Sequence, residues 1–214
     1  MNRLIKLFFY KTNWQISSGT ESFGNILNDE FFEINFSNQF KNAADPFPIN
    51  NDEQDLLIYE KVNGLTSKGT IKLKDGKNNT EKLIIKRRFH LSFPIVFSNE
   101  NESFLICESA ENNLTSIWKI EDSFQKFTEY SKINEKLIDP IIFYKNGIYF
   151  LIACKRVGDQ EYEMFLSTSK DLIEWNVIKK QNIDVVSGNE RNAGNIVMYK
   201  ENLYRLSQVN TPLY

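Results

Sequence analysis

The most constraining feature of the sequence is a motif that occurs four times along the chain. Each copy opens around a proline, or an asparagine in the last copy, passes through a polar turn and ends in an apolar strand. The copies read ADPFPINNDEQDLLIYE, SFPIVFSNENESFLICE, IDPIIFYKNGIYFLIAC and AGNIVMYKENLYRLSQ. Their opening residues Pro46, Pro94, Pro140 and Asn195 are 48, 46 and 55 residues apart. Strand-based repeats with a period of about 40–50 residues are typical of β-propeller blades.

The repeat predicts a single all-β domain over residues 1–214, with blades that start near residues 44, 92, 138 and 193. No segment sustains an apolar period of 3.6 residues over three turns, so long helices are not expected. We expect four strands in each of the first three blades and two in the fourth, Ile196–Tyr199 and Leu203–Ser207. In the third blade, the segment Tyr144–Gly147 predicts a tight hairpin because Asn-Gly accepts positive φ angles.

The two ends of the chain carry separate expectations. Leu4–Tyr10 and Trp14–Ile16 predict opening strands, and residues 17–42 predict a long polar loop with a short strand around Phe31–Phe36. After the second strand of the fourth repeat the sequence has only the segment Gln208–Tyr214, with no outer strands behind it. An unpaired sheet edge invites pairing with another chain. We therefore expect either a fragment of a longer protein or an edge covered by self-association or a partner subunit.

Composition narrows the class of partner. Charged residues make up 25% of the chain and the formal net charge is −2, so no overall field attracts nucleic acid or an anionic membrane. The N-terminal apolar stretch is too short for a signal peptide or a membrane span, which predicts a cytoplasmic protein without an integral membrane segment. Cys107 and Cys154 are expected as two buried thiols, although adjacent blades would also allow them to approach each other. The aromatic content of 14% suits strands and the stacking walls of sugar sites.

Four acidic side chains recur at equivalent places in the repeat. Asp45 and Asp139 precede the prolines of the first and third copies, and Glu60 and Glu108 end the apolar strands LLIYE and FLICE. Because the innermost strands of a propeller line a central channel, we expect these acids to converge near its axis. Mutual repulsion would raise at least one pKa, as a general acid paired with a base or nucleophile requires. Alternatively, the aspartates before proline are simply turn formers.

Other polar residues lie near the same strand ends. His90 comes just before the second copy, and Arg191 enters the fourth from the same side, where a guanidinium could clamp a carboxylate or phosphate. Arg205 and Gln208 lie on the strand that follows. A structural hydrogen bond or a salt bridge to one of the acids would explain these residues equally well. No phosphate loop, Cys/His metal cluster, nucleophile elbow or dinucleotide fingerprint is present, so we expect neither a cofactor nor a metal.

Several further segments follow one another in a specific order, namely LIYEKVNG, KGTI, HLSFPIVF, ESAENN, DPIIFYKNGIYFL, and RNAG with LYRLSQ. Together with ADPF, they resemble the N-terminal domain family of glucosamine inositolphosphorylceramide transferases and their stand-alone bacterial relatives. That domain is similar in turn to the five-bladed propellers of glycoside hydrolase clans 43 and 32. The resemblance implies a five-bladed propeller that acts on or binds carbohydrate, often in surface-glycan assembly. In the plant transferases, the transfer chemistry is attributed to a different, C-terminal domain.

Carried over by position, the resemblance implies that Asp45 is the first-blade acid that serves as base or nucleophile. Those clans usually place an aspartate in the second blade and the acid-donating glutamate in the third, whereas here Glu108 precedes Asp139. In a glycan-processing enzyme, Asp45 would be the base, Glu108 the acid and Asp139 the group that tunes pKa and orientation. The residues expected to hold a carbohydrate substrate are Glu60, His90, Asn112, Arg191, Arg205 and Gln208. The alternatives are a non-catalytic sugar-binding module and a structural propeller that docks a glycosyltransferase.

Overall fold

The computed structural model describes residues 15–18, 37–50, 55–158, 162–178 and 191–208. The first five strands are β1 (Gln15–Ser18), β2 (Ser37–Lys41), β3 (Ala43–Asn50), β4 (Asp55–Val62) and β5 (Gly69–Asp75). They are followed by β6 (Thr80–Ile85), β7 (Ser92–Ser98), β8 (Ser103–Glu108), β9 (Thr115–Glu121), β10 (Lys126–Ile133) and β11 (Ile138–Lys145). The last five are β12 (Ile148–Arg156), β13 (Tyr162–Ser169), β14 (Asn176–Val177), β15 (Arg191–Tyr199) and β16 (Asn202–Gln208). A 3₁₀ turn over Ala110–Asn112 is the one helical element of the described residues.

Strands that follow one another in the chain pair in antiparallel fashion. β3–β6, β7–β10 and β11–β14 each form a four-stranded sheet, and β15 pairs with β16; we call these sheets blades one to four. The first strand of each blade contacts the first strand of the next blade. The blades therefore stand side by side around their inner strands, which confirms the all-β, propeller-like fold. The number of five blades stays a prediction, because the described residues form four blades and a small β1–β2 sheet that contacts β3.

The predicted strand order agrees with the observed one at most places. Asn146 and Gly147 join β11 to β12 with φ angles of 51° and 78°, which confirms the tight hairpin. Part of the predicted strand Trp14–Ile16 coincides with β1. The loop prediction was wrong at residues 37–41, because this segment pairs with β1 as β2. The segments Leu4–Tyr10 and Phe31–Phe36 lie outside the described residues.

The core lies between blades. Ile106 of blade two packs with Ile141 and Leu151 of blade three in one buried cluster, and Ile58 of blade one joins Leu105 of blade two in another. Because β7 and β11 are covered on both faces, they are continuous apolar runs rather than alternating ones. Burial of both faces makes β7 and β11 a packed frame for the side chains at their ends.

Each inner strand of the first three blades has a β-bulge next to its proline. The strand register shifts between Ala44 and Phe47 in blade one, and equivalent shifts occur in blades two and three. Asp45, Phe93 and Asp139 occupy the bulges with φ angles of 48°, 50° and 47°. Non-glycine residues rarely adopt positive φ, and bulges re-aim side chains, frequently beside functional sites. The repeat therefore encodes a backbone irregularity that redirects two aspartates.

Both cysteines have the form predicted for them. Cys107 and Cys154 are buried and form no disulfide within the described residues, which confirms the prediction of two buried thiols. Across the described ranges, we find no helix with the length and apolar character that crossing a membrane requires.

Asn192 connects blade four to blade three. Its side-chain amide is fully buried and donates to the main-chain oxygens of Asp139 and Ile152, at 2.6 and 3.2 Å. Because β15 and β11 share no ladder of sheet hydrogen bonds, this amide supplies polar contacts that orient one blade against the other.

Replacing Asn192 with leucine is expected to lower the free energy of unfolding by about 1–3 kcal/mol, because carbonyl groups at the blade junction lose their donor. Asn202→Leu is the matched control, since Asn202 is exposed and bonds to the main-chain oxygen of Lys200 on the surface. Urea unfolding of both variants measures the effect. An equal loss in both variants, or none in Asn192→Leu, would contradict the assignment.

Candidate functional site

The four predicted acids come together at one end of the inner strands. Ala44 of β3 pairs with Glu60 of β4, and Ser92 of β7 pairs with Glu108 of β8, so the two glutamates have equivalent positions in their blades. The carboxyl groups lie close together in two pairs, Glu60 with Asp45 and Glu108 with Asp139. The pairs also influence each other electrostatically, as Glu60 is affected by Glu108 and Asp139 by Asp45.

Asp45 is only partly buried, and it connects blades one and two. Its Oδ2 atom accepts a hydrogen bond of 2.9 Å from the main-chain N–H of Phe93. Among the described residues, no Lys, Arg or His forms an ion pair with this carboxylate. Asp45 therefore combines partial exposure with a carboxyl group that pairs with no cation of the described residues.

Glu60 is almost completely removed from solvent, with 4% of its surface exposed. Its Oε1 atom has no hydrogen-bond partner within the described part of the chain. Nε2 of His90 lies 3.5 Å from this atom. Burial raises the pKa of Glu60 to about 9, and the neighbouring Asp45 and Glu108 raise it in the same direction. Glu60 is therefore expected to carry a proton at neutral pH.

His90 faces Glu60 from the loop between blades one and two. Its Nδ1 atom accepts a hydrogen bond of 3.0 Å from the main-chain N–H of Gly69, so Nε2 is the nitrogen that carries hydrogen and points towards Glu60. The main-chain N–H of His90 donates in turn to Glu111 at 3.0 Å. A Cβ atom on Gly69 would lie 2.2 Å from Oε1 of Glu60 and 2.1 Å from the oxygen of Leu91, so only glycine fits there.

Glu108, Asp139 and Arg191 form a second group that joins three blades. Oε2 of Glu108 accepts from the N–H of Asp139 at 3.0 Å, and Arg191 binds both oxygens of Asp139 at 2.7 and 2.8 Å. Burial raises the pKa of Glu108 to about 8, helped by the charge of Asp139. Burial also raises the pKa of Asp139, while the guanidinium of Arg191 acts against that rise.

Residues of blades three and four lie beside this group. The guanidinium of Arg191 lies 5.9 Å from the ring centre of Tyr162, within range of a cation–π contact, and 3.9 Å from Glu108. Arg205 donates to the side-chain oxygen of Asn192 at 3.0 Å. Gln208 is exposed and lies 3.1 Å from the main-chain oxygen of Asn192 and 3.5 Å from Asp139.

Most of the residues predicted to hold a substrate lie at or beside the acids. Asn112 differs, because it is exposed on the 3₁₀ turn and its only described bond joins its main-chain N–H to Ser109. Its role in binding stays a prediction. Four contributors were not predicted from the sequence, namely Gly69, Glu111, Tyr162 and Asn192. Gly69 and Asn192 lie in the KGTI and RNAG segments, so their motifs were visible although their roles were not.

A cavity of about 220 Å³ lies away from these acids. It is lined by Asp55, Asp75, Lys82 and Phe124 among others, between blades one and two. β4 begins at Asp55 and has Glu60 near its other end, so the cavity and the acids lie towards opposite ends of blade one.

No group of three or more His, Cys, Asp or Glu residues within the described ranges is arranged to hold a metal ion.

Comparison with known proteins identifies relatives of the chain. A family model described as "Glucosamine inositolphosphorylceramide transferase 1, N-terminal" matches residues 25–214. Glucosamine inositolphosphorylceramide transferase 1 of Arabidopsis thaliana is 30% identical over 186 residues, which cover 77% of this chain and 23% of that protein. The chain thus spans less than a quarter of the length of this relative.

Solved structures share the fold at low identity. An exo-β-1,3-galactanase from Phanerochaete chrysosporium, in complex with β-1,3-galactotriose, is 14% identical with a TM-score of 0.59, over 81% of this chain and 47% of that chain. A GH43 β-1,3-galactosidase is also 14% identical, with a TM-score of 0.57 over 75% of this chain and 38% of that chain. These likenesses show the fold alone, and they agree with a propeller of the glycoside hydrolase 43 type. On the match of the family model, the chain belongs to the family of the N-terminal domain of glucosamine inositolphosphorylceramide transferase 1.

Proposed function

We propose that this chain is a carbohydrate-active propeller that binds a saccharide at the central acid cluster. Its role would be a glycosidase-like or glycosyl-transfer-related step of surface-glycan biosynthesis. The observation that carries the proposal is Asp45, a partly exposed carboxylate at a strained bulge, without a cationic partner among the described residues. A carboxylate in this state is free to accept hydrogen bonds from sugar hydroxyl groups or to take a proton from one of them.

The arrangement of the acids supports this ligand class. Glycoside chemistry commonly uses one carboxylate and one protonated carboxylic acid. In the proposed site, Asp45 is the base or nucleophile, Glu108 is the proton-holding acid, and Asp139 with Arg191 sets the charge around it. The Arabidopsis relative is named glucosamine inositolphosphorylceramide transferase 1, and the fold neighbours include galactanases, so saccharides are the first ligands to test.

Replacing Asp45 with asparagine is expected to weaken saccharide binding by about tenfold or more, because a charged acceptor is lost, and to abolish any turnover. Isothermal titration and saturation-transfer NMR against a panel of β-linked oligosaccharides, including β-1,3-galactotriose, measure binding. Glycoside cleavage and transfer from nucleotide sugars are assayed on the same panel.

The matched control for this experiment is Asp75→Asn. Asp75 is an acid of the same blade whose carboxylate accepts from Asn78 on the surface, at the opposite end of β5 from Gly69. The affinity of the Asp75→Asn variant for saccharide should equal that of the wild type. Binding that is unchanged in Asp45→Asn would contradict the role of Asp45, and binding of no saccharide by the wild type would contradict the proposed function.

A second candidate is a non-catalytic module that docks or supports a glycosyltransferase. The observation in its favour is that Glu108, Asp139 and Arg191 are all engaged in contacts between blades. Side chains used in this way stabilise the fold whether or not a sugar is present. In that case the acids would be retained for packing, and turnover would be absent.

Replacing Arg191 with methionine tests how far this group is structural. The change is expected to lower the free energy of unfolding by about 3–5 kcal/mol, because the carboxylate of Asp139 stays buried without its partner. The double variant Asp139→Asn, Arg191→Met removes both charges and should recover part of the loss. Chemical denaturation of the three proteins gives the values. If the double variant is no more stable than Arg191→Met, the ion pair is not the source of the effect.

A further inference from the structure

Glu60 and Glu108 have equivalent positions in the repeat but make different bonds. In blade two, Glu108 accepts the bulge N–H of blade three, which belongs to Asp139. The equivalent bond of blade one would run from Glu60 to the bulge N–H of Phe93. That N–H instead binds Asp45. The difference arises because the bulge residue of blade one has a carboxylate, whereas the bulge residue of blade two is Phe93 itself.

This substitution leaves Glu60 without the backbone donor that its counterpart has. Its side chain is 5% exposed, and Oε1 has no hydrogen-bond partner among the described residues. A buried carboxylate in such a place would be costly, since burial removes its charge from bulk water and no Lys or Arg of the described residues pairs with it. The neighbouring carboxyl group of Asp45 acts in the same direction, because a second acid beside Glu60 disfavours its charged form. A proton on Glu60 removes the buried charge and the repulsion between the two acids.

The groups that face Glu60 come from three elements. Asp45 lies on β3, Glu108 on β8, and Cys107 precedes Glu108 with its thiol buried. His90 approaches from the loop before β7 with its Nε2–H. Two of these neighbours are acidic, and the imidazole is held with Nδ1 as an acceptor by Gly69. Nε2 is therefore the ring nitrogen that faces Glu60, at 3.5 Å from Oε1.

We propose that Glu60 is a positioning residue that holds a proton and shares it with Asp45, and that His90 and Gly69 keep its carboxyl group in place. The sharing limits the pair to a single negative charge and fixes the orientation of the Asp45 carboxylate. The link to saccharide binding rests on the proposed function, whereas the shared proton can be measured without any ligand. In the second pair, Arg191 adds a cation that binds both oxygens of Asp139.

The first test is a titration of the carboxyl carbons. The protein labelled with ¹³C at Glu Cδ is titrated by NMR, and the Glu60 resonance is assigned by its absence in Glu60→Gln. The resonance is expected to stay in its protonated position through neutral pH and to move only well above it. A resonance that titrates in the ordinary range of glutamate, about pH 4–5, would overturn the proposal.

The second test is the pH dependence of stability. Between the ordinary pKa of 4.5 and the folded value of about 9, the native state holds a proton that the unfolded chain has lost, so stability falls as pH rises. Glutamine resembles protonated glutamate and does not titrate. The urea midpoint of Glu60→Gln should therefore fall less than that of the wild type between about pH 5 and about pH 8, by about 0.5 M or more.

The matched control is Glu121→Gln. Glu121 ends β9 and accepts a hydrogen bond from Thr128, and this bond lowers its pKa. Its replacement should leave the change between pH 5 and pH 8 as in the wild type, because both values lie above the range in which Glu121 titrates. If the midpoint of Glu60→Gln instead runs parallel to that of the wild type over this interval, Glu60 holds no proton and the proposal fails.

The outcomes separate this inference from the proposed function. An NMR titration that places the proton on Glu60, together with a wild type that binds no saccharide, supports the proton pair and contradicts the sugar site. Saccharide binding with an ordinary titration of Glu60 supports the sugar site and contradicts the pair. If the protein binds saccharide and Glu60 holds its proton, Glu60→Gln should shift the pH profile of binding while Asp75→Asn leaves that profile unchanged.

Discussion

The packing of the blades depends on hydrogen bonds that acidic side chains accept from a neighbouring blade, either from its backbone or from an arginine. Asp45 binds the N–H of Phe93 in blade two, Glu108 binds that of Asp139 in blade three, and Arg191 of blade four binds Asp139. These bonds cross blade boundaries, where the ladders of the sheets do not continue. The side chains that make the site acidic are therefore the same ones that set how the blades pack.

This double use determines the charge pattern of the site. Carboxylates withdrawn from water need a partner, and the molecule supplies different partners to the two pairs. Around Asp139 the compensation comes from Arg191, a bidentate cation. Around Glu60 we infer that it comes from a proton, because the neighbouring side chains include the acids Asp45 and Glu108, and no Lys or Arg of the described residues pairs with Glu60. In the site that we propose, Asp45 is the partly buried carboxylate that would meet a ligand.

Much of this arrangement could be predicted from the sequence, because it follows from the repeat. The spacing of the prolines indicated the blades, and the matching offsets of Glu60 and Glu108 indicated that both would lie at the same level of their sheets. The hairpin at Asn146 followed from local backbone preference alone. The β2 strand could not be predicted in this way, because its partner β1 lies about 20 residues earlier and the intervening segment is polar.

By itself, the sequence determined the class of fold, the position of each blade and which residue types gather at the inner strand ends. These features depend on the spacing of the repeats and on the order of apolar and polar residues within each copy. Only the tertiary structure decided which acid takes which partner. Asp45 displaces Glu60 from the N–H of Phe93, and Asn192 and Gly69 acquire their importance from contacts with segments more than 20 residues away. Such contacts depend on distances between blades, which no local pattern of residues records.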